Sequence, residues 1–135
     1  MPELYVSVSL LMVRVMLGII FMAHGYPKIF DRKFALATAK FFKTLRVPAP
    51  RFFTFLVGFI ELFGGVMLFI GLFGQVWAFL LAMIMVVAIA LTGNQKGFKG
   101  GYEFELLIFV CGLMLFLLGD GMYSLTFLIS HFNLF

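Results

Sequence analysis

Residues 52–72 read FFTFLVGFIELFGGVMLFIGL, an apolar run whose single ionisable side chain is Glu61. About 20 predominantly apolar residues cross the hydrocarbon core of a bilayer as a helix, so this run is a transmembrane helix. Downstream, Gly71-Leu72-Phe73-Gly74 has the backbone freedom of a tight helical hairpin, and a further apolar run follows over residues 75–91. The polar, glycine-rich stretch 92–101 reads as a loop, and residues 103–118 as another span that ends at Gly119-Asp120-Gly121. Upstream, residues 4–30 are interrupted only by Arg14, His24 and Lys28. Without a basic leader or a small-residue cleavage site, this run is expected to be a retained span and not a cleaved signal peptide. The short apolar tail, residues 122–135, is expected along the membrane surface or against the bundle.

Composition agrees with this reading. Of 135 residues 64% are hydrophobic and 12% charged, against about 25% charged in soluble domains. Mean hydropathy is +1.14. The expected fold class is an all-α, integral membrane four-helix bundle in one domain over residues 1–135, with spans near 4–30, 52–72, 75–91 and 103–118. The one cysteine, Cys111, allows no disulfide within the chain, no dithiol centre and no cysteine-rich zinc site. In mid-helix it reads as a small buried apolar residue. No metal site is expected.

The segment between the first two spans differs in kind. As a helix over residues 34–45 it places Phe34, Ala37, Thr38, Phe41 and Leu45 on one face, and Lys33, Lys40, Lys43 and Arg46 on the other. That is the pattern of an amphipathic interfacial helix whose lysines meet anionic lipid headgroups. A solubilising connector and a partner-docking element are both open readings. Pro48-Ala49-Pro50 ends it. Lys28, Arg32, Lys33, Lys40, Lys43, Arg46, Arg51, Lys96 and Lys99 all fall on one side of the membrane. The positive-inside rule makes loops one and three cytoplasmic and sends both termini outside. Interleaving with spans makes lipid, and not nucleic acid, the counter-charge.

Ionisable side chains within a span cost about 2.5–3.5 kcal/mol on insertion scales, so each requires a partner or a polar site. Arg14 and Glu61 lie near the middles of antiparallel spans and are expected to meet. Arg14, Gly18, Phe21, Gly25 and Lys28 form one stripe, and Thr54, Gly58, Glu61 and Gly65 another, with small residues that permit close helix approach. The pair reads either as a register-fixing ion pair or as the anchor for a ligand's polar head. His24 is either a packing residue or a proton carrier, histidine being readily poised for exchange near neutral pH. Glu103 and Glu105 suit the first turn of a helix. The seven-residue spacing of Glu105, Gly112 and Gly119 turns Glu105 toward a packing seam, with Glu103 facing nearly the opposite way. Haem held by two histidines is improbable, because His24 and His131 fall on opposite sides. No phosphate loop or nucleophilic triad is present.

Arg14, Gly18, Phe21, Ala23-His24-Gly25, Lys28, Gly58, Glu61, Gly64-Gly65, Leu68, Gly71, Gly100-Gly101-Tyr102-Glu103, Gly119, Gly121 and Tyr123-Ser124-Leu125 together resemble the DoxX family of small four-helix bacterial membrane proteins. The resemblance runs over nearly the whole chain and rests on order and spacing. It implies a multi-pass protein of the bacterial inner membrane associated with redox or detoxification systems, with DoxD-type relatives similar to the membrane subunit of a thiosulfate:quinone oxidoreductase. It favours Glu103 over Glu105 as a site residue. The family often closes with Ser-Leu-Asp, where this chain has Ser124-Leu125-Thr126, so a role for that aspartate does not carry over.

The leading expectation is an accessory or quinone-interacting membrane subunit of a redox system, not self-sufficient as an enzyme, with no intrinsic cofactor and a quinone as its ligand. His24 is the candidate proton donor or acceptor, and Arg14, Lys28, Glu61 and Glu103 are candidate ligand-binding residues. Gly18, Gly25, Gly58, Gly64, Gly65, Gly101 and Gly119 are candidate packing positions. The alternative is a non-catalytic scaffold or assembly factor for a larger membrane or redox complex. A small-molecule transporter is less favoured, because no inverted repeat or broken helix is visible. Self-association into a homo-oligomer stays open.

Overall fold

The structure, a computed structural model, describes residues 1–132. Residues 133–135 of the expected tail lie outside the described residues. The described chain is all-helical, with α1 (Pro2–Phe30), α2 (Arg32–Thr44), α3 (Pro50–Ile70), α4 (Gly74–Lys96), α5 (Glu103–Leu118) and α6 (Leu125–His131). Among them α1, α3, α4 and, with the turn that precedes it, α5 are long and apolar enough to cross a membrane.

In lipid, apolar side chains gain little by leaving the solvent, so spans associate through close packing, for which small residues clear the way. The antiparallel pair α1 and α3 does this at two levels. A Cβ added at Gly18 would come 2.7 Å from the Gly65 carbonyl oxygen, and one at Gly65 would come 2.8 Å from the Gly18 carbonyl oxygen. About two turns along, a Cβ at Gly25 would collide with the Leu62 amide nitrogen and lie 2.7 Å from the Gly58 carbonyl oxygen. Gly64 faces α4, where a Cβ would meet Trp77 and Leu81 at 3.1 and 3.3 Å. Gly112 of α5 sits against Ala78 and Ala82 of α4. Around these seams Leu10, Leu17, Phe21, Leu68, Ala78, Leu81, Met85, Ile108 and Leu115 form one buried cluster. The bundle is therefore a sequence of neighbours, α1 on α3, α3 on α4 and α4 on α5, with α5 meeting α1 lightly to close the ring.

The hairpin at residues 71–74 forms where expected, and Gly71 closes α3 with a φ of 76°, a left-handed conformation that suits glycine. The α4–α5 connection is shorter than the sequence suggests. Helix α4 continues through Thr92, Gly93, Asn94, Gln95 and Lys96, and only an irregular turn over Phe98–Tyr102 separates it from α5. The Thr92 hydroxyl donates to the Ala88 carbonyl at 2.6 Å, so this polar side chain is satisfied on its own helix without ending it. No proline interrupts the stretch.

Helix α2 begins with Asp31, whose carboxylate accepts from the Phe34 N–H at 3.2 Å. Its lysines are exposed and so are Phe34, Ala37 and Phe41, as an interfacial helix requires. The face turned to the bundle is offset from the expected one and runs through Ala35, Thr38, Ala39, Phe42 and Leu45, where two alanines allow close approach to α1 and α3. Helix α1 is about 43 Å long at 1.5 Å per residue, more than the hydrocarbon core of roughly 30 Å. Its surplus N-terminal turns are covered by the chain end, with Gly121 against Leu10 and Ser7. The start of the tail, Met122 to Thr126, is thus held to the bundle, while α6 beyond it buries no residue.

Because both Gly18 and Gly25 meet backbone, Gly18→Val or Gly25→Val is expected to lower unfolding stability in detergent by about 1–3 kcal/mol or more. Gly93→Ala meets nothing nearer than 3.5 Å and is expected to raise stability by about 0.5–1 kcal/mol through helix propensity. Equal effects at the three positions, measured by denaturant titration of the purified protein, would contradict this packing.

Candidate functional site

At the end of the bundle that carries α2, the spans part around a cleft of about 520 Å³. Its walls are largely apolar, from Phe21, Phe41, Phe42, Phe53, Ile60, Met85, Phe104 and Ile108 among others. The polar side chains that line it are His24 and Lys28 from α1, Glu61 from α3, Thr92 and Lys96 from α4, and Glu105 from α5. Each long helix thus contributes to one polar group set in an apolar cavity.

Two ion pairs organise that set. Lys28 Nζ donates to Glu61 Oε2 at 2.5 Å, with the Lys28 and Glu61 side chains only 14% and 5% exposed. Lys96 Nζ donates to Glu105 Oε1 at 3.2 Å in a wetter position. Taking charges out of water is costly, and pairing within the cleft offsets much of that cost. Glu105 Oε2 is buried in the cleft wall and has no hydrogen-bond partner among the described residues. His24 Nδ1 lies 2.8 Å from the Ile20 carbonyl oxygen. A carbonyl only accepts, so Nδ1 carries the proton, and in the neutral ring Nε2 is left as an acceptor. The His24 ring also lies beside Phe104, with centroids 6.1 Å apart.

The expected meeting of Arg14 and Glu61 does not occur. The glycine register sets Glu61 level with Gly25 and Lys28, and Arg14 level with the α3–α4 hairpin. Arg14 is 1% exposed and donates through Nη1 to the Asp120 carbonyl at 2.8 Å and through Nη2 to the Tyr123 carbonyl at 2.7 Å. Gly71 leaves room for it, since a Cβ there would lie 2.5 Å from Nη1. Arg14 therefore holds the chain end onto α1 and lies outside the cleft. Asp120 assists by accepting the Gly74 N–H at 2.9 Å. Thr126, at the family's usual aspartate position, donates its hydroxyl to the Gly71 carbonyl at 2.8 Å and accepts from the Phe73 N–H at 2.8 Å.

Glu103 is also outside the cleft. It is exposed and accepts the Gly100 N–H at 2.9 Å, bracing the turn. Glu105 takes the place that the resemblance gave to Glu103, and the Glu105-Gly112-Gly119 spacing was the signal for it. Gly101 lets that turn approach α4, because a Cβ there would lie 2.7 Å from the Lys96 carbonyl oxygen. Gly119 ends α5 with a φ of 87°. Of the candidate site residues, the fold brings together His24, Lys28 and Glu61, adds Lys96 and Glu105, and separates Arg14 and Glu103.

A model of the DoxX family matches residues 9–94. A protein of Bacillus subtilis (strain 168) named "Putative oxidoreductase CatD" is 31% identical over 119 residues, covering 88% of this chain and 85% of that protein. No solved structure matches the chain.

The two pairings make opposite statements about energetic coupling. Glu61→Gln alone leaves the Lys28 cation buried and is expected to cost about 3–5 kcal/mol, much of it recovered when Lys28→Met is added. Arg14→Met and Glu61→Gln are expected to add independently within about 0.5 kcal/mol. A double-mutant cycle on unfolding in detergent reads both, and strong coupling between Arg14 and Glu61 would refute the register.

Proposed function

Because the chain belongs to the DoxX family, we propose that this multi-pass membrane protein is a quinone-interacting or accessory membrane subunit of a redox or detoxification system. The observation that carries the reading is the cleft, an apolar cavity of about 520 Å³ with its polar side chains drawn from four helices. Ligand sites are commonly clefts of about 300–1,000 Å³ with mostly apolar walls and a few convergent polar groups. The name of the Bacillus relative supports an oxidoreductase setting.

A quinone is flat and apolar apart from its ring oxygens, which matches phenylalanine and methionine walls beside a small polar set. Lys28, oriented by Glu61, donates to a ring oxygen. His24 Nε2 takes up or releases a proton while Nδ1 stays fixed on the Ile20 carbonyl. Glu105 Oε2 accepts from a hydroxyl. With a single cysteine the chain has no dithiol of its own, and electrons come from a partner protein or a soluble donor. The protein sits in the bacterial inner membrane, with α2 and the α4–α5 turn on the cytoplasmic side, a placement supported by the basic residues gathered there.

Titration of the purified protein with a ubiquinone or menaquinone analogue tests this reading. His24→Ala, and Lys28→Met combined with Glu61→Gln, are each expected to weaken binding by up to about tenfold, as loss of a hydrogen bond does. Arg14→Met is expected to leave the affinity of the folded fraction unchanged. Unchanged affinity in both cleft variants overturns the assignment. Stoichiometric co-purification with a larger complex and no analogue binding favours the scaffold reading. Alkaline phosphatase fused to the C terminus is expected to be active, reporting an outside location, and an inactive fusion that is fully expressed overturns the orientation.

A further inference from the structure

A second cavity, of about 300 Å³, opens behind the cleft between the end of α1, the inner face of α2 and the start of α3. Its charged lining residues are Lys28, Arg32 and Arg51, and no acidic side chain lines it. The nearest carboxylates in the chain are engaged elsewhere, Asp31 with the Phe34 N–H and Glu61 with Lys28 on the cleft side. Neither arginine makes a salt bridge among the described residues. Two arginine cations beside one concave space, neither with a carboxylate partner, repel one another unless an anion enters. The site also lies where α1 leaves its apolar run, and Phe30, Leu36 and Phe55 give its rim an exposed apolar border.

We propose that this cavity is a binding site for an anionic phospholipid, with the phosphodiester held by Arg32 and Arg51 and the acyl chains running along Leu36 and Phe55. Arginine's planar fork suits phosphate oxygens, and basic pockets between spans at a membrane surface bind acidic headgroups. Lys28 forms the inner wall with its charge already matched by Glu61, so the two arginines supply the net attraction. An apolar border beside the cations selects a lipid over free phosphate, which would gain nothing from it.

The test uses the full-length protein in mild non-ionic detergent at physiological ionic strength, with lipid retention read by native mass spectrometry. Phosphatidylglycerol is expected to be retained in preference to phosphatidylcholine, and inorganic phosphate at equal concentration is expected not to displace it. Arg32→Gln with Arg51→Gln is expected to weaken retention by roughly twentyfold, near fivefold per charge removed. Lys33→Gln with Lys43→Gln removes the same charge from the exposed face of α2 and is expected to change retention by less than about twofold under screening. If the double arginine variant fails to fold, Arg32→Gln and Arg51→Gln singly are each expected to show the fivefold loss. Equal retention of the two lipids, displacement by phosphate, equal loss in both double variants, or unchanged retention in the single variants overturns the proposal.

Discussion

Backbone contact between α1 and α3 is the constraint from which the rest of the structure follows. A bilayer offers helices no solvent to escape, so their association depends on how closely they can approach. Gly18 on Gly65 and Gly25 on Gly58 fix both the distance and the register. Gly58 has a further effect, because a Cβ there would lie 2.7 Å from the Lys28 Cβ. Its absence lets the lysine stem lie across α3 and reach Glu61. A shift of one turn along this seam would part Lys28 from Glu61 and carry Arg14 away from the hairpin.

The polar groups of the cleft depend on this seam and on a second one. Gly112 against Ala78 and Ala82 brings α5 close to α4, which sets Glu105 within reach of Lys96. Each buried carboxylate is thus matched by a lysine on a neighbouring helix, and the cleft carries two balanced pairs. Such a site keeps strong local fields without a net charge to neutralise. Its unpaired features, one oxygen of Glu105 and the second nitrogen of His24, are both neutral-compatible acceptors, suited to a ligand that presents hydroxyl or exchangeable protons.

The spans were legible from apolar runs alone, because a bilayer demands length and little else, and α5 coincides with the expected residues 103–118. Pairing within the bundle was harder to read. Depth alone, with the middle of each run taken as its centre, pairs Arg14 with Glu61, but α1 is longer than the hydrocarbon core and its middle is not the membrane's. The glycines carry the register, which shows only when Gly18 is set against Gly65 and Gly25 against Gly58. Glu105 is legible from its seven-residue spacing with Gly112 and Gly119, whereas the resemblance favours Glu103. Residues 92–96 look like a loop by composition, since a threonine that bonds to its own helix leaves no trace in a polarity pattern. Arg14's true acceptors are main-chain carbonyls, which every residue possesses and no sequence motif marks.

Those acceptors have a consequence for how the protein is made. Arg14 leaves the ribosome well ahead of Asp120, whose carbonyl lies 106 positions later. At about 5–20 residues per second the helix that carries Arg14 waits roughly 5–20 s for its partners. During that interval a guanidinium occupies the membrane without the carbonyls that will hold it. Arrival of residues 120–123, and not insertion of α1, is therefore the event that satisfies Arg14, and a nascent chain stalled short of Gly119 carries that guanidinium without its carbonyl partners.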